Sequence, residues 1–127
     1  MIEKIEITTS KAPQPRGKYS QAIKVNNVVF LSGQLPIDIK TNILVKDNYE
    51  QAFIKCFENI SEVCMAAGGT LNKIVKLNVF LTHQDSSYYL DKVIPRFFNP
   101  PYPARSRVFV TSLSKGAQIE IEAIMIL

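Results

Sequence analysis

"AQIEIEAIMIL", residues 117–127, alternates strictly enough to be read as a strand with two unlike faces. Ile119, Ile121, Ala123, Met125 and Leu127 fall on one side, Glu120, Glu122, Ile124 and Ile126 on the other. The first side is a core face. The second begins acidic and ends aliphatic, so it needs cover at one end and stays wet at the other.

The rest of the chain says which face its own helices cover. Ile5 to Ile7 reads as a short strand, followed by the loop "TTSKAPQPRG". "YSQAIKV" meets a hairpin turn at Asn26 and Asn27, and "VVFLSGQL" is a central strand ending in the small residues Ser32 and Gly33. After a turn over 38–42, Asp47 with Glu50 three residues on marks a helix start, and "AAGG" marks its end. Phe53, Cys56, Phe57, Ile60, Val63, Cys64 and Ala67 form one apolar stripe of that helix.

"IVKLNVFL" is the next strand, with Val75, Leu77, Val79 and Leu81 on one face. A second helix from about Ser87 carries Leu90, Val93, Ile94, Phe97 and Phe98, kinked or shortened by Pro95. "RSRVFVTSL", a turn at 114–116 and the final strand complete an α+β layer fold with a mixed sheet. Two helices cover one sheet face. Ile124 and Ile126 then need a partner, which points to a closed homo-oligomer whose subunits cover each other's open faces.

At 127 residues the chain is read as one domain over 1–127, able to bury about two-thirds of its unfolded surface. It has no apolar run of the roughly 20 residues a spanning helix needs, and no secretory h-region, so a cytoplasmic location without membrane contact is expected. Cys56 and Cys64 lie eight apart on one helix, about 12 Å, too far for a disulfide, and are read as core thiols. The net charge of +4 is scattered rather than clustered, which does not support a dedicated nucleic-acid module, although it does not forbid RNA contact.

The candidate chemistry is sparse. Glu120 and Glu122 stand at the wet end of the last strand, as half of an ion pair or as a base or water-positioning group. Arg105, in "PYPARSRVFV" (101–110), has a planar fork suited to bidentate binding of a carboxylate, and equally suits one of those glutamates. Tyr19 offers a hydroxyl on a packed ring. His83 has no triad partner, the Gly68–Gly69 pair lacks a phosphate-loop pattern, and no cluster has metal-ligand spacing.

Five stretches in order, "GKYSQA" (17–22), "VVFLSGQLP" (28–36), "AAGGTLNKIVKLNVFL" (66–81), "PYPARSRVFV" (101–110) and "AQIEIEAI" (117–124), closely resemble the YjgF/RidA family of enamine/imine deaminases. The resemblance implies a chorismate-mutase-like fold with two helices on one side of the sheet. It also implies a trimer with the sheets forming a central barrel and sites in clefts between subunits.

Residue by residue, the resemblance makes Arg105 the substrate-carboxylate clamp, Glu120 the group that holds or activates water, and Tyr19 a third catalytic residue. Ser32, Gly33 and Gln34 line the cleft, and Asp91 and Arg107 fall at its substrate-binding positions. The implied reaction hydrolyses enamines and imines such as 2-aminoacrylate to a 2-keto acid and ammonia, with no metal or cofactor. Two alternatives stand beside it: ribonuclease or translation-inhibitor activity, described for some members, and a non-catalytic trimer that binds a small carboxylate. This sequence departs from the family pattern at Lys18, where many members have proline, at Asp91, often asparagine, and at Arg107, commonly small or uncharged.

Overall fold

The computed structural model describes residues 2–127. Its main sheet has six strands: β1 (Ile5–Ile7), β2 (Ala22–Val25), β3 (Val28–Gln34), β6 (Ile74–Leu81), β7 (Ala104–Phe109) and β8 (Ile119–Ile126). They lie in the order β1-β2-β3-β8-β6-β7. Only β6 and β7 run parallel, joined through helix α2 (Ser87–Val93), as a parallel pair requires. The last strand of the sequence therefore becomes a central strand of the sheet. Between β3 and helix α1 (Tyr49–Ala66) sits a separate two-stranded hairpin, β4 (Ile37–Asp38) and β5 (Ile43–Leu44), that the sequence reading took for a turn.

Helices α1 and α2 pack on one face of the sheet. Every residue of the predicted α1 stripe from Phe53 to Ala67 is buried, and it meets the β8 residues Ile119, Ile121, Ala123 and Met125, all buried too. Phe57 anchors this layer between Phe97 and Phe98, with ring centroids 5.3 and 5.4 Å away. No helix of the described residues is long and apolar enough to cross a membrane.

Two local readings are corrected. The α1 cap is Asn48, whose Oδ1 accepts the Gln51 N–H at 3.1 Å. Asp47 lies one residue outside at φ +60°, its N–H donating to Gln118 Oε1 and its Oδ1 accepting from Gln118 Nε2. In β6 the register against β8 slips between Ile74 and Lys76, so Ile74 turns inward and Val75, expected inside, is 43% exposed. The second helix is shortened as Pro95 implies: it stops at Val93 and continues as a 3-10 turn over Ile94–Arg96, because Pro95 has no N–H to continue the ladder.

The opposite face of the sheet has no layer of its own. Phe30, Val108 and Ile126 are 48, 44 and 41% exposed there, beside the half-buried Phe80 and Ile124. The alternation of β8 is thus read correctly on both sides: its inner face is core and its outer face is apolar but open.

Candidate functional site

The open face and the loop 8–16 enclose a cleft of about 740 Å³ at the acidic end of β8. Tyr19, Gly33, Gln34 and Glu120 all line it. Its position follows from a bulge in β3: Leu31 pairs with Ala123 and Gln34 with Ile121, so Ser32 and Gly33 together oppose a single residue of β8. Gly33 then lies directly beneath Glu120. A Cβ at position 33 would stand 2.8 Å from both Cδ and Oε2 of that carboxylate.

The wall of the cleft is held by a buried side chain to which the sequence reading gave no role. Gln21 is 1% exposed; its Nε2 donates to the carbonyls of Thr9 (3.1 Å) and Pro13 (2.9 Å), and its Oε1 accepts the Thr9 N–H (2.7 Å). One amide therefore closes the proline-rich loop against β2, replacing the backbone ladder such a loop lacks. Its signal was a polar residue at an inward position of "YSQAIKV". Ser32 donates from Oγ to the Ser20 carbonyl at 2.6 Å, which fixes the strand that carries Gly33. Tyr19 is 54% exposed, and its hydroxyl oxygen accepts the Arg16 N–H at 3.3 Å. Arg16 and Lys115, also unforeseen, bring positive charge to the rim.

Glu120 is half-buried, and the loss of water around it raises its carboxyl above the ordinary carboxylate range; the neighbouring Glu122 adds to the rise. Glu122 is itself held by Asn78, whose Nδ2 donates to Oε1 at 3.4 Å. The two cysteines offer no nucleophile. Burial lifts Cys64 to about 12 and Cys56 well above its usual value, and Cys56 Sγ points to the Gln34 carbonyl at 3.5 Å.

Arg105 is elsewhere. The β6–β7 register pairs Leu77 with Arg105 and Val79 with Arg107, and Leu77 and Val79 face the helices. Phe80, which pairs with Glu120, faces the other way. Within one chain Arg105 and Glu120 therefore lie on opposite faces of the sheet. Neither glutamate of β8 answers Arg105; its partner is Asp91 of α2, with Nη1 donating to Oδ1 at 2.7 Å. Of the eight predicted residues, Tyr19, Gly33, Gln34 and Glu120 line one cleft, Ser32 braces the strand behind it without lining it, and Arg105, Arg107 and Asp91 lie at the helix-side edge.

Gly33→Ala tests how closely the first group is built. Because the methyl group meets only the mobile end of a glutamate, the melting temperature should change little, while the Glu120 carboxyl is driven off Gly33 toward water. Its titration, followed by NMR, should move back toward the ordinary carboxylate range. A titration unchanged from the parent protein would show that Gly33 does not set the position of Glu120.

The family described as Endoribonuclease L-PSP matches residues 9–127. Over 127 residues, all of this chain and 99% of the relative, the chain is 39% identical to a 2-iminobutanoate/2-iminopropanoate deaminase of Dermatophagoides farinae. It is 43% identical over 125 residues to the RutC family protein y4sK of Sinorhizobium fredii, covering 98% of each. The crystal structure of RidA from the Antarctic bacterium Psychrobacter sp. PAMC 21119 superposes with a TM-score of 0.92 at 44% identity, covering 97% of this chain and 99% of that one.

Proposed function

The chain belongs to the Endoribonuclease L-PSP family, which is the YjgF/RidA family, and from that premise we propose that it hydrolyses reactive enamines and imines of 2-amino acids to 2-keto acids and ammonia. The observation that carries this reading is the half-buried, weakly acidic Glu120 seated on Gly33 in an open cleft. A carboxyl raised above its ordinary range holds a proton more tightly, so its ionised form is a better base toward a water attacking a C=N bond and its protonated form can return that proton.

In the proposed reaction Arg105 binds the substrate carboxylate through its fork, and Glu120 holds a water above the imine carbon. Glu120 takes a proton from that water as its oxygen bonds to carbon and passes it to the nitrogen, which becomes an amine; a second proton reaches the nitrogen as the C–N bond breaks to release ammonia. That second proton is the hydroxyl proton of the adduct, relayed by Glu120 as the carbonyl forms, so Glu120 ends the cycle as it began. For an enamine, Glu120 in its protonated form first supplies a proton to the β-carbon. Tyr19 and Gln34 confine the substrate beside it.

Since Arg105 and Glu120 lie on opposite faces of one sheet, the site as proposed needs Arg105 from one subunit and Glu120 from another. Three copies packed through the open face around Phe30, Val108 and Ile126 would provide that meeting and the missing cover.

The test couples the protein to a serine or threonine dehydratase and follows keto-acid release in the presence of an imine trap, with light scattering on the same sample. Accelerated release by a particle of three chains is expected. Unaccelerated release would overturn the deaminase reading, and a monomer mass at micromolar concentration would overturn the shared site. RNA cleavage that falls steeply with salt would support the alternative that the family's description names.

A further inference from the structure

On the helix-side edge of the sheet, three charged groups stand together with unequal pairing. Arg105 gives Asp91 one hydrogen bond, from Nη1 to Oδ1 at 2.7 Å. That contact leaves the Nε–Nη2 edge of the guanidinium, the side that grips both oxygens of a carboxylate, without a partner among the described residues. The pair is exposed, so it adds little to stability; its consequences are the orientation of Arg105 and the cancellation of its charge. Arg107 is two residues along the same face. It has no acidic partner among the described residues, and its guanidinium carbon lies 5.4 Å from the centroid of the Phe109 ring. Arg105 with Asp91 is neutral, so the net positive charge of the cluster resides on Arg107.

We propose that Asp91 is a positioning residue that holds Arg105 by one nitrogen, and that Arg107 supplies the uncompensated charge that draws a substrate carboxylate to the free fork. This rests on the reading of Arg105 as a carboxylate clamp. Orientation and attraction are thereby divided between two side chains, with Arg107 kept off the carboxylate by its stacking on Phe109. The cluster selects for anionic substrates through a field acting over about 7 Å, the spacing of alternate residues on a strand, rather than through a further contact.

The test measures binding of 2-oxobutanoate, an unreactive keto acid, by calorimetry at low and high salt. Asp91→Asn keeps the accepting oxygen and removes the negative charge, so Kd should fall about threefold; Arg107→Ala should raise it about threefold. The two changes should offset each other in the double variant. Both single effects should shrink in high salt, because the charges are exposed and screened. Asp91→Ala removes the same charge but also the acceptor, and should bind more weakly than Asp91→Asn, with an unchanged melting temperature. Equal affinities for Asp91→Asn, Arg107→Ala and the parent protein would overturn the proposal alone. A Kd indifferent to Arg105→Ala would overturn the clamp and this proposal with it.

Discussion

Replacing Glu120 by glutamine is expected to lower kcat for imine hydrolysis by roughly 10²- to 10⁴-fold while leaving 2-oxobutanoate binding close to that of the parent protein. Glutamine has the same shape and fits above Gly33, so it keeps the packing and removes only the group that exchanges a proton. The split between turnover and binding separates a deaminase from a trimer that merely holds a small carboxylate. If turnover survives the substitution, Glu120 is not the base.

The pH profile of the parent enzyme carries the same information. Burial and Glu122 raise the Glu120 carboxyl, so the acid limb of kcat/KM should lie above the ordinary carboxylate range and vanish in the glutamine variant. Stability responds in the opposite sense. With its pKa higher in the folded chain than in the unfolded one, the native state binds more protons through that window, so stability falls as pH rises from the ordinary carboxylate pKa through the raised one. Glu120→Gln should flatten that part of the curve, measurable as denaturation midpoints across pH.

What was legible in the sequence followed from periodicity. The α1 stripe and the two faces of β8 each repeat one side-chain pattern over seven or more residues, so errors of a residue at the ends do not alter the reading. The misplacements occur where one residue breaks a period. The slip at Val75 turns a side chain outward without changing its type, and the bulge at Ser32 and Gly33 is what brings Glu120 over a glycine. Pattern alone cannot register either slip, because both depend on the partner strand.

The site was legible as residue types and not as an arrangement. Arg105 and Glu120 are fifteen positions apart on strands separated only by β6, and only the parallel register of β7 shows that they face opposite ways. Asp91 was visible as a departure from the family pattern, but its bond to Arg105 depends on where Pro95 ends α2 and how the chain returns to the sheet edge. Gln21 was visible only as a polar residue in a strand. Its four bonds to the loop 9–13 are a tertiary fact that no local rule contains.

Arg105→Ala should lower kcat/KM by the equivalent of about 2 to 5 kcal/mol, roughly 30-fold to a few thousand-fold, because the substrate carboxylate loses both donors of the fork at once. Stability should change by no more than about 1 kcal/mol, since the bond it gives up, to Asp91, is exposed. Arg105→Lys should recover part of the binding but not the whole, as a point charge replaces a planar pair of donors. The opposite facing of Arg105 and Glu120 adds a sharper outcome. Arg105→Ala chains and Glu120→Gln chains, each inactive alone, should regain activity when unfolded together and refolded as mixed trimers. Every mixed trimer then contains one interface with an intact arginine from one chain and an intact glutamate from the other. Random assembly at equal amounts puts about three-quarters of the trimers in that class with one site in three restored, hence about one quarter of the parent activity. A mixture as inactive as its components would mean that the two side chains do not meet across an interface, and the site would have to be rebuilt from the Glu120 cleft alone.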